Sequence, residues 1–382
     1  DKYVIYFRDG GDEMSYKENQ GQTFEYLNKL RYTSPIFVLN AISEFLLSPT
    51  KKKHEKDIEG MNNIFKNYSV QMDGHTYSTM MKLNKYFGKF GITLEKKAFA
   101  TYEITMVTQE SLHMLLNFIV VYFGIISSIN DNDLEISENL IERIVNSANI
   151  IGCDYYVRYV INSRLMRNRH LYKMFRPKLE LPNIKLQYGN TGQQRRDYIT
   201  KLIEFNKSIV DIGCGEGFYA IPFAGLLQKK KDTLKYYAID INDDELKIVK
   251  RRSIEEGLKN IVLLSSHEQM KMHCDGVYDV IMTEVVEHME KEESQTIIKW
   301  VLDNIKYNRI IITTPNFDFN VHYNMDTKFR HHDHHWELTQ EQFKQYVGET
   351  LNSYKDIKVT FLDIGDMVDG SPCTQGIMIE KS

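Results

Sequence analysis

Ile209-Val210-Asp211-Ile212 is a short apolar run that stops at Gly213-Cys214-Gly215-Glu216-Gly217, and a helical pattern from Phe218 to Leu227 follows at once. Few backbones satisfy that succession, because a strand must end in a turn tight enough to need glycine and feed straight into a helix. Glycines at such a turn also let a ligand approach the main chain closely. A second apolar run, Leu234 to Ile239, ends in Asp240, and the spacing from Gly217 to Asp240 fits one βαβ unit. A carboxylate at that strand end can accept hydrogen bonds from both ribose hydroxyls of an adenosine-containing cofactor. Helix 243–256, strand 260–264, strand 277–282, helix 291–306 and strand 308–314 continue the alternation, which is the pattern of a doubly wound α/β sheet. Strands near 357–362 and 375–380, separated by a long turn, are expected to form an antiparallel edge pair.

At 382 residues the chain exceeds the usual size of one domain, and 42% hydrophobic content is enough for substantial cores. The formal net charge of −4 gives no global basic field, so a nucleic acid must be held by a local patch or through its terminal nucleotide. Cys153, Cys214, Cys274 and Cys373 are scattered, with no C-x-x-C pair, which argues against a disulfide framework or a thiolate zinc site. A reducing, intracellular and cytoplasmic setting is the resulting expectation. The chain starts at Asp1 and not at Met, as an excised piece of a longer product would.

The first half reads as a separate, mainly helical α+β domain over 1–176, with 177–189 as linker, marked by Pro177, Pro182 and Gly189, and 190–382 as the second domain. Tyr3 to Phe7 has strand character, and Ile36 to Leu47 is helical. Residues 56–90 carry two amphipathic helical patterns split at Asp73-Gly74, 99–108 is strand-like and 109–126 helical. The apolar run Met114 to Ile126 is too short for a membrane span and reads as a buried helix, so no membrane partner is expected. Helical spacing continues from Leu134 to Met174. Arg164, Arg167 and Arg169 then gather with His170, Lys173 and Arg176 around Tyr172 and Phe175. Such a stripe suits a phosphate backbone and stacked bases, or is a solvated helix end favoured by the dipole.

The densest chemistry lies at Thr283-Glu284-Val285-Val286-Glu287-His288, after an apolar run, and at Arg330-His331-His332-Asp333-His334-His335. Once the chain turns helical after the strand, Glu284, Glu287 and His288 share one face and can converge on a divalent ion, with a fourth ligand from the later cluster. Oxygen-rich, imidazole-containing sets suit Mg2+ or Mn2+, without excluding zinc. The bland alternative is a charged helix start. His332 and His335 either orient a substrate phosphate, act in proton transfer or sit on the surface. Asn316 either hydrogen-bonds a nucleotide or caps the turn after Thr314-Pro315. Asp333 suits a supporting role better than direct ligation, and Cys214 reads as a small turn residue.

The turn D-x-G-C-G-x-G lacks the G-x-G-x-x-G spacing and the Gly-Lys-Ser/Thr ending of phosphate-binding loops. It resembles motif I of the class I S-adenosylmethionine-dependent methyltransferases, whose Rossmann-like sheet is the fold this implies. By that resemblance Asp211, Gly213, Gly215 and Gly217 line the methionine side of S-adenosylmethionine. Asp240 holds its ribose, and residues around Ser265 to Glu268 approach its adenine; for Glu268 the alternative is an ordinary surface acid. The strings Glu284 to His288, Thr314 to Asn320 and Arg330 to Glu337 narrow the match. With Gln194-Arg195-Arg196 and Gly370 to Gln375, they resemble the small-RNA 3′-terminal 2′-O-methyltransferases of RNA silencing and bacterial RNA repair, over about residues 190–380. The family implies Glu284, Glu287, His288 and His334 as catalytic metal ligands, and Arg195 is placed with the substrate. Trp336 stands where the family commonly has Phe, and Leu338 where it commonly has Trp.

What the resemblance implies is methyl transfer to the 2′-hydroxyl of an RNA 3′ end, with S-adenosylmethionine and Mg2+ or Mn2+ as cofactors. The RNA is expected to be small or cleaved, and the N-terminal domain is open to a protein partner. Two rival readings stay open: a metal-dependent small-molecule O-methyltransferase acting on vicinal hydroxyls such as a catechol, and an RNA-binding module that no longer turns over.

Overall fold

The computed structural model describes residues 35–130, 136–273 and 276–382. The strand expected at Tyr3 to Phe7 lies outside them. The chain divides into two compact units, Asp1–Leu181 and Pro182–Ser382.

In the first unit, β1 (Asn63–Gln71), β2 (Gly91–Ala98) and β3 (Thr101–Thr108) form an antiparallel sheet in the order β1-β3-β2. Its core helix is Leu112–Asn130, in which Phe118, Val120, Val121, Tyr122 and Phe123 are fully buried. By length and composition this helix could cross a membrane, but 89% of its apolar window is buried inside the unit. It is longer than the run Met114 to Ile126 suggests, because Asn117 does not interrupt it. The Asn117 amide donates to the carbonyls of Thr50 and His113 and accepts from the Ser147 hydroxyl. Helices Ile36–Phe45, Leu47–Lys51, Gly74–Leu83, Glu138–Ile150, Tyr155–Leu165 and Arg169–Leu179 also belong to the described unit. One expectation is corrected: Asn63–Gln71 is a strand and not a helix, and its side chains alternate between half-buried and exposed along most of its length. In a two-sided, largely polar strand that alternation is faint, and a 3.6-residue pattern fits the same letters.

The second unit, with β4 at Ile184–Lys185, β10 at Ile357–Val368 and β11 at Ser371–Lys381, holds an eight-stranded sheet whose other five strands follow; the order is β4-β10-β11-β9-β8-β5-β6-β7. Strands β5 (Ser208–Ile212), β6 (Tyr236–Ile239), β7 (Ile261–Leu264), β8 (Tyr278–Thr283) and β9 (Tyr307–Pro315) run parallel. Helices cover both faces, so strands such as β6 and β8 are buried along their whole length and read as continuous apolar runs. Chain order reverses between β5 and β8, and the carboxyl ends of the strands at such a switch point form the crevice in which this class of sheet binds ligands.

Residues 177–189 are not a separate linker. Pro177 to Leu179 finish helix Arg169–Leu179, and β4 (Ile184–Lys185) pairs with β10 as the sheet edge. The long turn expected before 375 is also corrected. β10 (Ile357–Val368) and β11 (Ser371–Lys381) are joined by Asp369-Gly370 alone, both at positive φ (51° and 85°). Two such residues match the right-handed twist of the strands they join. Gly365 and Pro372 resemble turn signals, yet Gly365 (φ 86°) lies where the β10–β11 register shifts, between Ile364 and Met367.

Gly376 on β11 faces Thr313 on β9, and a Cβ built there would lie 2.5 Å from the carbonyl oxygen of Ile312. Gly376→Ala is expected to cost about 1–3 kcal/mol through overpacking. Both tryptophans, Trp300 and Trp336, lie in this unit, so indole fluorescence during urea unfolding isolates its transition. An unchanged midpoint would show that the sheet opens freely at this position.

Candidate active site

The glycine turn sits where β5 ends. Gly213, Gly215 and Gly217 all have positive φ, and a Cβ on Gly215 would meet nothing within 4 Å. The main chain is therefore bare on that side. At the end of neighbouring β6, the Asp240 carboxylate accepts from the Gly215 amide (2.8 Å) and the Asn242 amide (2.9 Å). Each carboxylate oxygen keeps a second lone pair, so a ribose diol can add to this arrangement without displacing it. Asp211 lies beneath the turn, fully buried, with Oδ2 accepting from the Tyr236 hydroxyl at 2.6 Å and Oδ1 unpartnered. Burial pushes its carboxyl up to about 7, against the Tyr236 hydrogen bond. Ser265 follows β7, where its hydroxyl accepts from Gln269. Glu268 is exposed and pairs with His267 at 3.3 Å, the behaviour of a surface acid. A bare glycine turn with an acid at the next strand end fits an adenosine cofactor.

The second half of the site begins where β8 ends. Glu284 takes φ 54°, a left-handed conformation that side chains other than glycine and asparagine disfavour. The backbone then winds through a short 3₁₀ turn, Val286–His288, where a regular helix was expected. Glu287 and His288 remain together, and the long loop after β9 adds His334. One donor atom from each of these three lies within 4.8 Å of the others.

Each donor is prepared by its surroundings. Glu287 is fully buried, with Oε2 accepting from the Thr314 hydroxyl (3.0 Å) and Oε1 without any partner. Burial first, then the neighbouring Glu284 charge, hold its carboxyl well above the ordinary range. His334 is 7% exposed and its Nδ1 lies 2.6 Å from Glu337 Oε1. A proton shared there leaves the Nε2 lone pair free. His288 Nδ1 faces Asp333 Oδ2 at 3.1 Å, while burial lowers the imidazole pKa. An orphaned buried carboxylate oxygen beside two imidazoles fits a divalent cation.

Glu284 stands apart from the other three. Its oxygens are taken by Arg195 (3.1 Å) and the Thr313 hydroxyl (3.1 Å). Arg195 is engaged by that pair and by the Tyr219 hydroxyl, where the sequence placed it with the substrate. Asn316 is corrected: it is fully buried, donates to the Pro372 carbonyl and accepts from the Asp318 amide, so it caps a turn. His335 pairs with Glu290 at 2.8 Å, and its backbone amide donates to the Glu287 carbonyl. His332 is exposed beside His331. In the N-terminal unit, Arg164 closes one helix while Arg167 and Arg169 flank the bend into the next, so the basic stretch is not one helix face. Sequence reasoning missed Glu337, which holds His334, and Thr313 and Thr314, which hold the two glutamates. Glu337 stands three residues after His334, and that spacing was a usable signal.

Two family models match the chain: one described as the Hen1 N-terminal domain, over residues 1–183, and one described as a methyltransferase domain, over residues 203–364. A small RNA 2′-O-methyltransferase of Tetrahymena thermophila is 25% identical over 217 residues, covering 50% of this chain and 49% of that relative. One of Schizosaccharomyces pombe is 26% identical over 208 residues, covering 46% and 54%. The chain thus spans about half the length of these curated relatives. Among solved structures, the Pnkp1/Rnl/Hen1 RNA repair complex contains a chain similar in fold. Its TM-score is 0.72 at 20% identity, over 95% of this chain and 86% of that one.

Because burial and the neighbouring Glu284 charge favour the protonated form of Glu287, Mn2+ binding is expected to release protons and to tighten as pH rises. Titration calorimetry in two buffers of different ionisation enthalpy measures the release, and Glu287→Gln should abolish it. Equal heats in both buffers for the unaltered protein would exclude Glu287 as the displaced acid.

Proposed function

We propose that the chain belongs with the Hen1 small-RNA 2′-O-methyltransferases, within the class I S-adenosylmethionine-dependent methyltransferases, and that it methylates the 2′-hydroxyl of an RNA 3′-terminal nucleotide. One observation carries the reading. A Cβ on Gly213 would lie 2.4 Å from Val285 Cγ2, so the glycine turn packs directly on the residue that follows Glu284. That closeness supports reading the glycine turn and the three-donor cluster as walls of one site.

Under this reading the residues divide the work. Asp240 orients the cofactor through its ribose, and the bare backbone at Gly215 lets the methionine end pass close to the turn. S-adenosylmethionine supplies a methyl group already on a good leaving group, so the protein mainly positions and orients. Glu287, His288 and His334 are the proposed holders of a divalent cation, with Glu284 as a fourth once it leaves Arg195. Such a cation, when bound, supplies Lewis-acid assistance to ionisation of a ribose hydroxyl. Glu337 and Asp333 keep the two imidazoles turned with a lone pair toward the cluster. Thr313 and Thr314 fix the carboxylates, and Arg195 balances the negative charge gathered there. We propose in addition that the N-terminal unit serves protein partners, because the similar fold is found in an RNA repair complex.

Asp240→Ala is expected to weaken S-adenosylhomocysteine binding by about 1.5–3 kcal/mol, the worth of a charge-assisted contact. Calorimetric titration of the folded variant measures it, and an unchanged Kd would remove Asp240 from the cofactor site. Single-turnover methylation should fail on a 2′-deoxy terminus and fall sharply on 3′-deoxy and 3′-phosphate termini. It should also stop in chelator and return with Mg2+ or Mn2+. Full activity on the 3′-deoxy RNA in rigorously cation-free buffer would overturn the reading.

A further inference from the structure

Beside the three-donor cluster the second unit contains a cavity of about 470 Å³ that the chemistry above does not use. The half-buried rings of Phe317 and Phe329 meet in its wall nearly at right angles (73°), with centroids 6.3 Å apart. Trp336 and Leu338, both buried, form more of its wall, and the Trp336 ring is anchored by its N–H to the Met289 carbonyl. The cavity borders the site. Glu337 both lines it and holds His334, and His335, the next residue along, lines it as well.

We infer that this cavity takes the nucleobase of the RNA 3′-terminal nucleotide, whose ribose lies at the three-donor cluster. The inference rests on the proposed function and extends it to the part of the substrate that does not react. Size and shape favour a flat heterocycle, since stacking on an aromatic face is open to every base. Charge argues against a phosphate as occupant: Glu290, Glu292 and Glu337 line the cavity against Lys291 and Lys328. A neutral base meets no such penalty. Its ring nitrogens and carbonyl oxygens are acceptors, and helix Lys291–Asn304 begins at this wall with no side-chain cap on its first turn. Free amides there can donate to a base edge. A terminal base lies within the same nucleotide as the reacting hydroxyl, which fits a cavity separated from His334 by one side chain, Glu337.

Two measurements test this. The first offers the enzyme an RNA whose last nucleotide is abasic, with both ribose hydroxyls kept, and compares kcat/KM with that of the intact RNA. The unaltered enzyme is expected to lose about tenfold to a hundredfold, the worth of one base–aromatic stack. Phe317→Leu and Phe329→Leu should lose a similar factor on intact RNA, and the two losses should not add when variant and abasic RNA are combined. The second places 5-iodouridine at the terminal or at the penultimate position of RNA bound with Mn2+ and S-adenosylhomocysteine. Photocrosslinks are then mapped by mass spectrometry on the unaltered enzyme, so neither folding of a variant nor turnover limits it. Terminal crosslinks at Phe317, Phe329 or Trp336 support the inference. Methylation of abasic and intact RNA at equal rates, or crosslinks to these residues from the penultimate position only, would overturn it while leaving the methyltransferase reading intact. No methylation of any RNA, with no crosslink at either position, would overturn both.

Discussion

A carboxyl group with no exposed surface and one oxygen without a partner is costly to keep, and Glu287 is such a group. The rest of the site is arranged so that the cost is not relieved. Val286 beside it is fully buried in the core under β8, the Thr314 hydroxyl on β9 satisfies only the other oxygen, and the nearby Glu284 charge adds repulsion. Were the loop free to move, water would reach Oε1. The parallel strands β8 and β9, buried along most of their length, deny that motion. The sheet therefore does more than carry the residues: it holds a polar atom where only a guest can satisfy it.

The loop that delivers His334 is fixed by a different device. Arg330 donates to the carbonyls of Cys373 and Asn316 and to the Asn320 side chain. Glu337 accepts from the Arg330 amide and from Asn320, and Glu337 also holds His334. One arginine and one glutamate so tie the loop to the β10–β11 hairpin and to the turn after β9. Networks of this kind are rigid when every member is satisfied, and Asn316, fully buried with both ends of its amide used, is part of the frame. Long irregular segments ordinarily have many conformations. Here the polar ties replace the regularity that secondary structure would supply.

Much of this was legible in the sequence. The alternating strands and helices from Ile209 onward, the glycine turn, Asp240 and the pairing of Glu287 with His288 follow from local periodicity and spacing, and these the structure contains. What escaped has a common cause. Whether Arg195 meets a substrate or Glu284 depends on how far helix Thr191–Leu202 lies from the end of β8, and no local pattern encodes that distance. The hairpin of β10 and β11 was obscured because Gly365 and Pro372 read as breakers, although pairing with β9 and β4 supports both strands. In the N-terminal unit, β1 has too little apolar contrast between its faces to declare its period. The region where sequence reasoning was strongest is the one in which burial is most one-sided.

The left-handed backbone of Glu284 has an evolutionary corollary. A residue held there against its preference costs about 1–3 kcal/mol, and glycine would adopt the same angles without strain. The fold would thus gain stability from the very replacement that deletes a candidate donor, the usual tension between robustness and activity. Lineages released from selection for methyl transfer should drift toward glycine or asparagine at this position while keeping their architecture. A carboxylate retained at such an angle is therefore a mark by which an active branch can be told from a decayed one, even before anything is assayed.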